Sequence, residues 1–485
     1  MVNPSSTSYR DELPFVSVVV LNFDGRKILN DCLLAISRLN YPAEKYEIVV
    51  VDNCSIDESI EKAKASFPQV KYIINKGNLG FASGYNQFLR SATSEYVALV
   101  NNDARPDQNW LLHLVECAIS GNRIGAVTSK ILFEQRVIPI AINSSALRAS
   151  GEVDINRGVR IYSLLVNGKE MIDSLDQAQD VLGIERDGNQ VFRWAAPKSL
   201  IPIPVDLDTK NPEEKLLISM KIWSPISQSI SYGYPLSNLF TTLLHKGHNL
   251  IAFEVDHLKE TRVINNAGSL LLSDGSGADR GFKEIDLNQF DSTESVFGFC
   301  GASVLLSGKM LEEVGVFADD FFMYYEDTDL SWRMRSQDWD IVYCPSAVMF
   351  HKHAFSSGEG SSFFNFYVRR NRLLMIMRNG SRKLTLRELS IFILGRIFNL
   401  LKFPKAILST NKSFLNNEKT NQKVLWSLLL NLPKVFAQRR TITNQASIDS
   451  VEFIWVKPKS WWMSRRVTSE TYKGLPFVYR QNEMS

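Results

Sequence analysis

The hydrophobic pattern of residues 15–130 alternates between short apolar runs and repeats at helical spacing. Val16–Leu21 is apolar except for Ser17, as in a strand that is buried on both faces, and Ile28–Leu39 then repeats apolar residues every three or four positions. The alternation continues with a strand at Glu47–Val51, a helix at Asp57–Phe67, a strand at Val70–Ile74, a helix at Phe81–Ser91, a strand at Tyr96–Val100, a helix capped by Asp107 that runs to Cys117, and a short strand at Gly125–Thr128. Alternating strands and helices predict an α/β fold with a mostly parallel sheet and right-handed crossovers.

The pattern changes between residues 135 and 261, where prolines and glycines separate short β-like runs. These runs are Val191–Trp194, Leu200–Val205, Leu216–Trp223 and Asn249–Val255. They predict a β-rich inserted module. The α/β pattern returns from residue 262, with a strand at Phe297–Leu306, helices at Ser307–Val314 and Thr328–Ser336, a strand at Ile341–Tyr343 and a helix at Phe363–Arg378.

The C-terminal part, residues 381–485, contains two amphipathic stretches. Leu384–Phe403 and Val424–Phe436 carry apolar faces, and the second ends in Arg439 and Arg440. Apolar faces with basic flanks suit the membrane interface. A helical pair that packs on the core is an equally good interpretation. The domain organisation predicted is therefore a tail at 1–14, α/β halves at 15–134 and 262–380, the insert at 135–261, and C-terminal helices.

Composition narrows the class of protein. The chain has 485 residues, 45% hydrophobic and 22% charged, which is typical of a globular protein with two or three domains. A net charge of +3 gives no indication of nucleic-acid binding. Five scattered cysteines without metal-binding spacing predict free thiols in a reducing compartment. The polar N-terminus shows no secretory signal and no uncharged apolar run of transmembrane length occurs, so we expect a cytoplasmic protein.

Polar residues follow three of the predicted strands at their carboxyl ends: Asp52, Asn75 and Asp103. Ligands of parallel sheets bind beyond these ends, so we expect the three side chains to meet at one crevice. Asp103 could hold a divalent cation against a diphosphate, or could be only a turn residue. Asp52 could accept hydrogen bonds from a nucleoside base or ribose. The loop Asn75–Phe81 allows close backbone approach to a phosphate-bearing ligand, although it matches no standard phosphate-binding motif.

A second acidic group lies at the start of a predicted helix. Glu326, Asp327 and Asp329 fall within four positions, where the helix dipole favours negative charge. Such a cluster can supply a general base or bind a cation. A capped surface helix with a solvated acidic first turn is the alternative.

Five motifs in this order resemble those of the family 2 glycosyltransferases, in particular the bacterial rhamnosyl- and galactofuranosyltransferase-like members. They are Val18-Val19-Val20-Leu21-Asn22, Val50-Val51-Asp52-Asn53-Cys54-Ser55-Ile56-Asp57, Asn78-Leu79-Gly80-Phe81-Ala82-Ser83-Gly84-Tyr85-Asn86, Asn101-Asn102-Asp103 and Tyr325-Glu326-Asp327-Thr328-Asp329-Leu330. The resemblance covers residues 15–135 and about 262–380.

The resemblance implies a GT-A fold, Rossmann-like and nucleotide-sugar-binding in residues 15–134, with a catalytic and acceptor half in 262–380. It implies inverting transfer with Asp327 as general base and Glu326 orienting the acceptor or the base. Asp103 matches the last position of the metal-binding acidic triplet, whose first two positions are amides here. His351, 24 positions after Asp327, is the second expected metal ligand, with His353 as backup, or it is a plain strand-end residue. Donor contacts are predicted from Asn22, Asp52, Asn53, Asn75, Lys76, Gly80, Asn101, Asn102 and Gly301.

The expected cofactor is Mg²⁺ or Mn²⁺, and the expected co-substrate is a nucleotide sugar. A deoxythymidine-diphosphate rhamnose donor is the first hypothesis, and a uridine-diphosphate hexose or galactofuranose the second. The acceptor implied is a growing cell-surface glycan, such as O-antigen or cell-wall polysaccharide, on a lipid carrier at the cytoplasmic membrane face. Arg369, Arg370 and Arg372 could contact diphosphate or form a solvated helix face.

Two other classes of protein stay open. A nucleotidyltransferase would use a similar sheet, but the chain has Asn22-Phe23-Asp24-Gly25-Arg26 in place of a glycine-rich loop after the first strand. A non-catalytic carbohydrate-binding or scaffold protein would use the insert.

Overall fold

The computed structural model describes residues 12–26, 28–149, 152–154, 157–178, 180–205, 215–235, 237, 239–256, 259–352, 361–408 and 412–447. The chain divides into two compact units. The first comprises residues 1–131, 266–280 and 291–485, and the second comprises residues 132–265 and 281–290.

The N-terminal part folds as alternating strands and helices, so the predicted α/β class is confirmed. Its elements are β1 (Val16–Asn22), α1 (Leu29–Ile36), β2 (Tyr46–Asp52), α2 (Ser59–Ser66), β3 (Lys71–Ile74), α3 (Gly80–Leu89), β4 (Tyr96–Asn101), β5 (Ala104–Pro106), α4 (Trp110–Ile119) and β6 (Ile124–Asn143). The helix α4 begins after Asn109 without a side-chain cap; Asp107 instead accepts a hydrogen bond at its carbonyl from the Trp110 N–H.

The strand β6 is 20 residues long, whereas the sequence pattern predicted only Gly125–Thr128. The apolar pattern is interrupted twice, at Ser129 and Lys130 and again at residues 134–136, although the backbone stays extended through both breaks. Polar interruptions in a long strand resemble loops when only the hydrophobic pattern is considered.

The middle of the chain is β-rich, as predicted. Its strands are β7 (Leu147–Ala149), β8 (Glu152–Asp154), β9 (Val159–Val166), β10 (Lys169–Glu170), β11 (Glu185–Asp187), β12 (Gln190–Ala195), β13 (Lys198–Pro204), β14 (Leu216–Ser224), β15 (Gln228–Gly233), β16 (Phe240–Leu244), β17 (Gly247–Val255) and β18 (Thr261–Asn266). Six of them form an antiparallel sheet, in which β11-β12-β9-β14-β17 are neighbours in that order and β10 pairs with β9. One face of this sheet is apolar, with Ile161, Ile218 and Met220 fully buried, and gives the second unit its own core.

The rest of the chain returns to the first unit. Its elements are β19 (Ser269–Leu271), β20 (Gly277–Asp279), β21 (Glu294–Ser295), β22 (Ser303–Ser307), α5 (Gly308–Val314), α6 (Glu326–Ser336), β23 (Asp340–His351), α7 (Ser362–Asn379), α8 (Arg382–Leu408) and α9 (Lys412–Gln445). The sheet of the first unit has the order β6-β22-β4-β1-β2-β3. Strands β4, β1, β2 and β3 are parallel, and β22 is antiparallel to both of its neighbours.

The carboxyl ends of β1, β2 and β4 are in register at one edge of this sheet. Asn22 is paired with Asp52, and Leu21 with Asn101. The interior of these strands is apolar and fully buried, as a parallel sheet covered by helices requires. The polar residues at the strand ends therefore project where the apolar layer stops.

The C-terminal helices belong to the first unit. The helix α9 packs along α7, and α8 contacts both. The side of α9 that is buried includes Val424, Leu428 and Val435, so part of the amphipathic pattern is explained by packing on the fold. Among the described residues, no helix is long and apolar enough to cross a membrane.

Candidate active site

Hydrogen bonds connect the polar residues at the ends of β1, β2 and β4. The Asn22 amide donates to Asp52 Oδ1 at 2.9 Å and accepts at its Oδ1 from the Asn102 amide at 2.8 Å. The Ser55 N–H donates to Asp52 Oδ2 at 2.9 Å, and the Ser55 hydroxyl donates to Oδ1. Asn22 and Asp52 are almost fully buried. The Asp52 carboxylate is therefore held in one orientation by its neighbours.

Gly25 is a residue of this edge that the sequence analysis did not single out. A Cβ at this position would lie 2.2 Å from Asn22 Oδ1 and 2.7 Å from Asn102 Nδ2. Only glycine leaves room for the hydrogen bond between these two amides. The position of Gly25, three residues after a strand-end asparagine, was the available signal.

Asn53 and Asn75 extend the chain of amides towards α3. The Asn75 amide donates to Asn53 Oδ1 at 2.9 Å, and the Asn53 amide donates to the Gly80 carbonyl at 2.9 Å. Lys76 is exposed beside them. The side chains of Asn53 and Asn75, both predicted donor contacts, thus anchor the loop Asn75–Phe81 to the end of β2.

Gly80 permits a close approach within the chain. It has a φ of +73°, and a Cβ there would lie 2.2 Å from the carbonyl oxygen of Phe322, which accepts the Phe81 N–H at 2.7 Å. The space that we had assigned to a phosphate-bearing ligand is therefore filled by the segment that leads to the acidic cluster. This contact fixes the start of α3 against that segment.

Asp103 and His351 form a pair at the same edge. Strand β5 follows Asp103 directly and pairs with the end of β23, where Ala104 is opposite His351. This register places His351 Nε2 2.9 Å from Asp103 Oδ1, and both side chains are largely buried. His353 lies outside the described residues.

A carboxylate oxygen and an imidazole nitrogen form a donor set that a divalent cation such as Mn²⁺ accepts, although imidazole is not a preferred ligand of Mg²⁺. In this structure the two atoms are joined by a hydrogen bond of 2.9 Å. Two protein ligands leave several positions for diphosphate oxygens and water, as Mg²⁺ and Mn²⁺ sites require. Within the described residues, no group of three or more His, Cys, Asp and Glu side chains could hold a metal.

The helix α6 begins in an unusual backbone conformation. Tyr324 and Tyr325 both have positive φ, 70° and 69°, which is rare for residues with a large side chain. The fully buried Asn371 of α7 holds this turn, because its amide donates to the carbonyls of Met323 and Tyr324 at 2.8 Å each. Backbone strain of this kind persists only when the surroundings fix it, and it is common at functional sites.

Asp327 follows this turn and contacts Gly301, just before the start of β22. Its Oδ2 accepts the Gly301 N–H at 3.3 Å, and its Oδ1 accepts the Thr328 N–H at 2.6 Å. The Ala302 carbonyl in turn accepts the Asn101 N–H at 3.1 Å, at the end of β4. The sheet therefore brings Asp327 to the edge that carries Asn101, Asn102 and Asp103.

Burial raises the pKa of Asp327 above its ordinary value, and the N–H groups of Thr328 and Gly301 oppose that rise. Burial and the neighbouring Asp327 carboxylate together raise the pKa of Glu326 well above its usual range. Glu326 is 5% exposed, and its Oε2 has no hydrogen-bond partner among the residues that the structure describes. Glu326 thus lies in a poorly solvated place and Asp327 beside it is half-buried, unlike the solvated helix turn that was the alternative interpretation.

Asp329 has a structural role. Its carboxylate is fully buried and accepts from Arg333 at 3.1 Å and from Arg378 at 2.9 Å, which ties α6 to α7. The basic residues of α7 also have partners within the chain. Arg370 donates to the Asp320 carbonyl, Arg372 to Glu388, and Arg369 to Asn421.

A sheet of parallel strands with polar carboxyl ends, completed by an antiparallel strand beside β4, defines the class of the first unit as an α/β fold with a mostly parallel sheet. Within this class, residues 17–151 match the model of Glycosyl transferase family 2, so the predicted family resemblance is confirmed over that segment. Strands β1 to β6 and the whole strand-end edge, except His351, fall within or beside it.

Curated relatives agree with this assignment over the same part of the chain. Glycosyltransferase AglE of Haloferax volcanii is 30% identical over 124 residues, which is 25% of this chain and 40% of AglE. An N-acetylglucosaminyl-diphospho-decaprenol L-rhamnosyltransferase of Mycobacterium tuberculosis is 40% identical over 59 residues, 12% of this chain and 19% of the relative. The matched segments thus span less than half of these relatives.

Among solved structures, a mannosyltransferase of Pyrobaculum calidifontis in complex with GDP-Man and Mn²⁺ aligns with 13% identity and a TM-score of 0.36. The alignment covers 87% of this chain and 88% of that one. A likeness at this level supports no statement about function.

Proposed function

We propose that the protein is an inverting glycosyltransferase that moves a sugar from a nucleotide-diphosphate donor to an acceptor hydroxyl, with Asp327 as the general base. The observation that carries the proposal is the position of Asp327. It is held by the Gly301 N–H at the start of β22, beside the strand end that carries Asp103.

The proposed role of Asp327 follows from inverting chemistry. The acceptor hydroxyl attacks the anomeric carbon on the face opposite the leaving diphosphate, and its proton passes to a base on that face. A carboxylate with a raised pKa is a stronger base than a solvated one. The Thr328 N–H donates to Oδ1 of Asp327 and the Gly301 N–H donates to Oδ2, and the two hydrogen bonds fix the orientation of the carboxylate.

Glu326 is proposed to act beside Asp327 as an orienting group. With its pKa raised well above the usual value, Glu326 carries a proton over a pH range in which an exposed glutamate is ionised. A protonated carboxyl can donate a hydrogen bond to the acceptor or to Asp327, which a carboxylate cannot.

Asp52 and the amides around it are proposed to bind the nucleoside. Asp52 is fixed by Asn22 and Ser55, so the remaining acceptor position on its Oδ2 is held in a constant orientation and could serve a base or ribose. Asn53, Asn75, Lys76, Asn101 and Asn102 complete the proposed donor contacts at this edge. Gly301 presents its N–H to Asp327 and so supports the base directly.

Asp103 and His351 would hold a divalent cation, Mg²⁺ or Mn²⁺. When bound, the cation would supply Lewis-acid stabilisation of the departing diphosphate. The donor is proposed to be deoxythymidine-diphosphate rhamnose or a uridine-diphosphate hexose, and the acceptor a cell-surface glycan on a lipid carrier at the cytoplasmic face of the membrane. The similarity over 59 residues to an N-acetylglucosaminyl-diphospho-decaprenol L-rhamnosyltransferase supports the rhamnose donor and the lipid-linked acceptor.

A panel of nucleotide sugars tests the proposal. A donor that binds the folded protein raises its melting temperature, and donor hydrolysis or transfer with Mg²⁺ or Mn²⁺ reports the chemistry. Asp327→Asn is expected to abolish turnover and to keep the donor-induced thermal shift. Asp52→Asn is expected to reduce the shift itself. Transfer at the wild-type rate by Asp327→Asn would show that the base is elsewhere.

A further inference from the structure

The helix α8 presents an apolar stripe to solvent. Leu386, Ile393, Leu394 and Ile397 are 67%, 47%, 62% and 54% exposed. Their spacing places them on one side of the helix, opposite the buried Glu388. Isolated exposed leucines are ordinary, but a stripe along several turns is not.

The helix α9 presents a similar stripe. Trp426, Leu429, Leu430 and Phe436 are 66%, 48%, 78% and 62% exposed, on the side opposite the buried Val424, Leu428 and Val435. Packing on α7 therefore accounts for one side of α9, and the other apolar side is not covered by the part of the chain that the structure describes. Lys419 and Lys423, also exposed, precede Trp426 and Leu430 at helical spacing.

The charges of the two helices have one sign where they face solvent. Residues 382–445 contain 12 Lys and Arg but only two acidic residues, Glu388 and Glu418. Glu388 is 5% exposed and accepts from Arg372 and Arg387. Glu418 is 7% exposed and accepts from Arg396 at 2.9 Å and from Asn399 at 2.8 Å. Both carboxylates are thus neutralised internally, while Lys383, Lys419, Lys423 and Arg440 are exposed.

We propose that the exposed faces of α8 and α9 dock the protein onto an anionic lipid bilayer. Apolar side chains with a tryptophan enter the boundary between headgroups and acyl chains, and lysines and arginines remain at the phosphate level. Each cation near an anionic surface adds to the attraction. A second copy of the same surface is a poorer partner, because it would bring cations against cations. The docking depends on none of the residues assigned to the active site.

Vesicle sedimentation with the full chain tests the proposal. The wild-type protein is expected to sediment with vesicles of phosphatidylcholine containing roughly one third phosphatidylglycerol, and to bind vesicles of phosphatidylcholine alone at least about tenfold more weakly. Salt should weaken the binding, since it screens the charges. The variants Trp426→Glu and Leu430→Glu should each weaken binding to the anionic vesicles about tenfold or more.

Leu250→Glu in the second unit is the matched control, because Leu250 is 73% exposed, nearly as much as Leu430. It should bind vesicles like the wild type. Melting temperature and donor-induced thermal shift should be unchanged in all three variants, which separates loss of docking from loss of folding or of the active site. Equal binding by Leu430→Glu and Leu250→Glu would overturn the proposal. A wild-type dimer that Leu430→Glu dissociates would overturn it in favour of self-association.

Discussion

The imidazole Nε2 of His351 lies 2.9 Å from Oδ1 of Asp103, although 248 positions separate the two residues in the chain. The pairing of β5 with β23 creates this contact, since it sets Ala104 opposite His351. A backbone register thus brings together the two side chains that sequence reasoning assigned to one cation.

His351→Ala is expected to lower the affinity for Mn²⁺ at least about tenfold, because it removes one of two protein ligands. Titration of Mn²⁺ followed by electron paramagnetic resonance measures this without any turnover. The control is His248→Ala, which changes an exposed histidine of the second unit. Unchanged Mn²⁺ affinity in His351→Ala would assign the histidine a purely structural role as partner of Asp103.

The rate of transfer should depend on the ionisation of Asp327. Asp327 must be deprotonated to act as the base, and burial raises its pKa. As the pH is lowered, kcat should therefore begin to fall at a pH above the ordinary aspartate pKa of about 3.9. A pH–rate profile checks this, with circular dichroism at each pH to verify that the protein stays folded. A profile in which kcat falls only at or below the ordinary aspartate pKa would contradict a raised pKa for Asp327.

Glu326→Gln should stabilise the protein at neutral pH. Because folding raises the pKa of Glu326, the protein loses stability as the pH rises from the pKa of this carboxyl in the unfolded chain towards its pKa in the folded protein. The neutral amide of glutamine does not titrate, so the variant does not lose this stability. The gain is expected to be at least about 1 kcal/mol near pH 7 and to vanish below about pH 4. Urea unfolding at both pH values measures it, and the same variant should transfer sugar more slowly if Glu326 orients the acceptor. Equal destabilisation at both pH values would point to a packing defect instead.

Asn371→Ala should reduce kcat without a comparable change in donor affinity. The substitution removes both hydrogen bonds that hold the left-handed turn at Tyr324 and Tyr325, so the turn relaxes and Asp327 moves. Stability should fall by about 2–4 kcal/mol, since two buried carbonyls lose their donor. The donor-induced thermal shift and kcat measured together separate positioning from binding. Asn431→Ala on α9, which removes a single bond to the Ser427 carbonyl, is the control and should be nearly neutral.

Gly80→Ala should be strongly destabilising, and Gly77→Ala, three residues away, should not. A Cβ at Gly80 collides with the Phe322 carbonyl and would also require an alanine at a φ of +73°, whereas a Cβ at Gly77 has no atom within 4 Å. The expected cost at Gly80 is about 2 kcal/mol or more. Thermal unfolding of the two variants tests it, and equal melting temperatures would show that the Phe322 contact is easily displaced.

The residues at the strand ends were predictable because they depend on local pattern. Runs of valine mark buried strands, and Asn22, Asp52 and Asp103 end them, so a parallel sheet brings them to one edge regardless of detail. The polar breaks at residues 129–130 and 134–136 concealed the length of β6, because a long strand and a strand followed by a loop have the same pattern there. Asn371 and Gly25 were missed because their roles depend on contacts with residues that only the folded chain brings near.

Strand β22 lies between β4 and β6, and pairs with both. The chain therefore makes β4 and β6 first, then the whole insert, and only afterwards the strand that joins their edges. During synthesis, the edges of β4 and β6 that will pair with β22 emerge from the ribosome unpaired. They stay unpaired until residue 307 has emerged. Open strand edges recruit other strands, so a chain that stops short of β22 is expected to aggregate rather than to yield a small donor-binding domain.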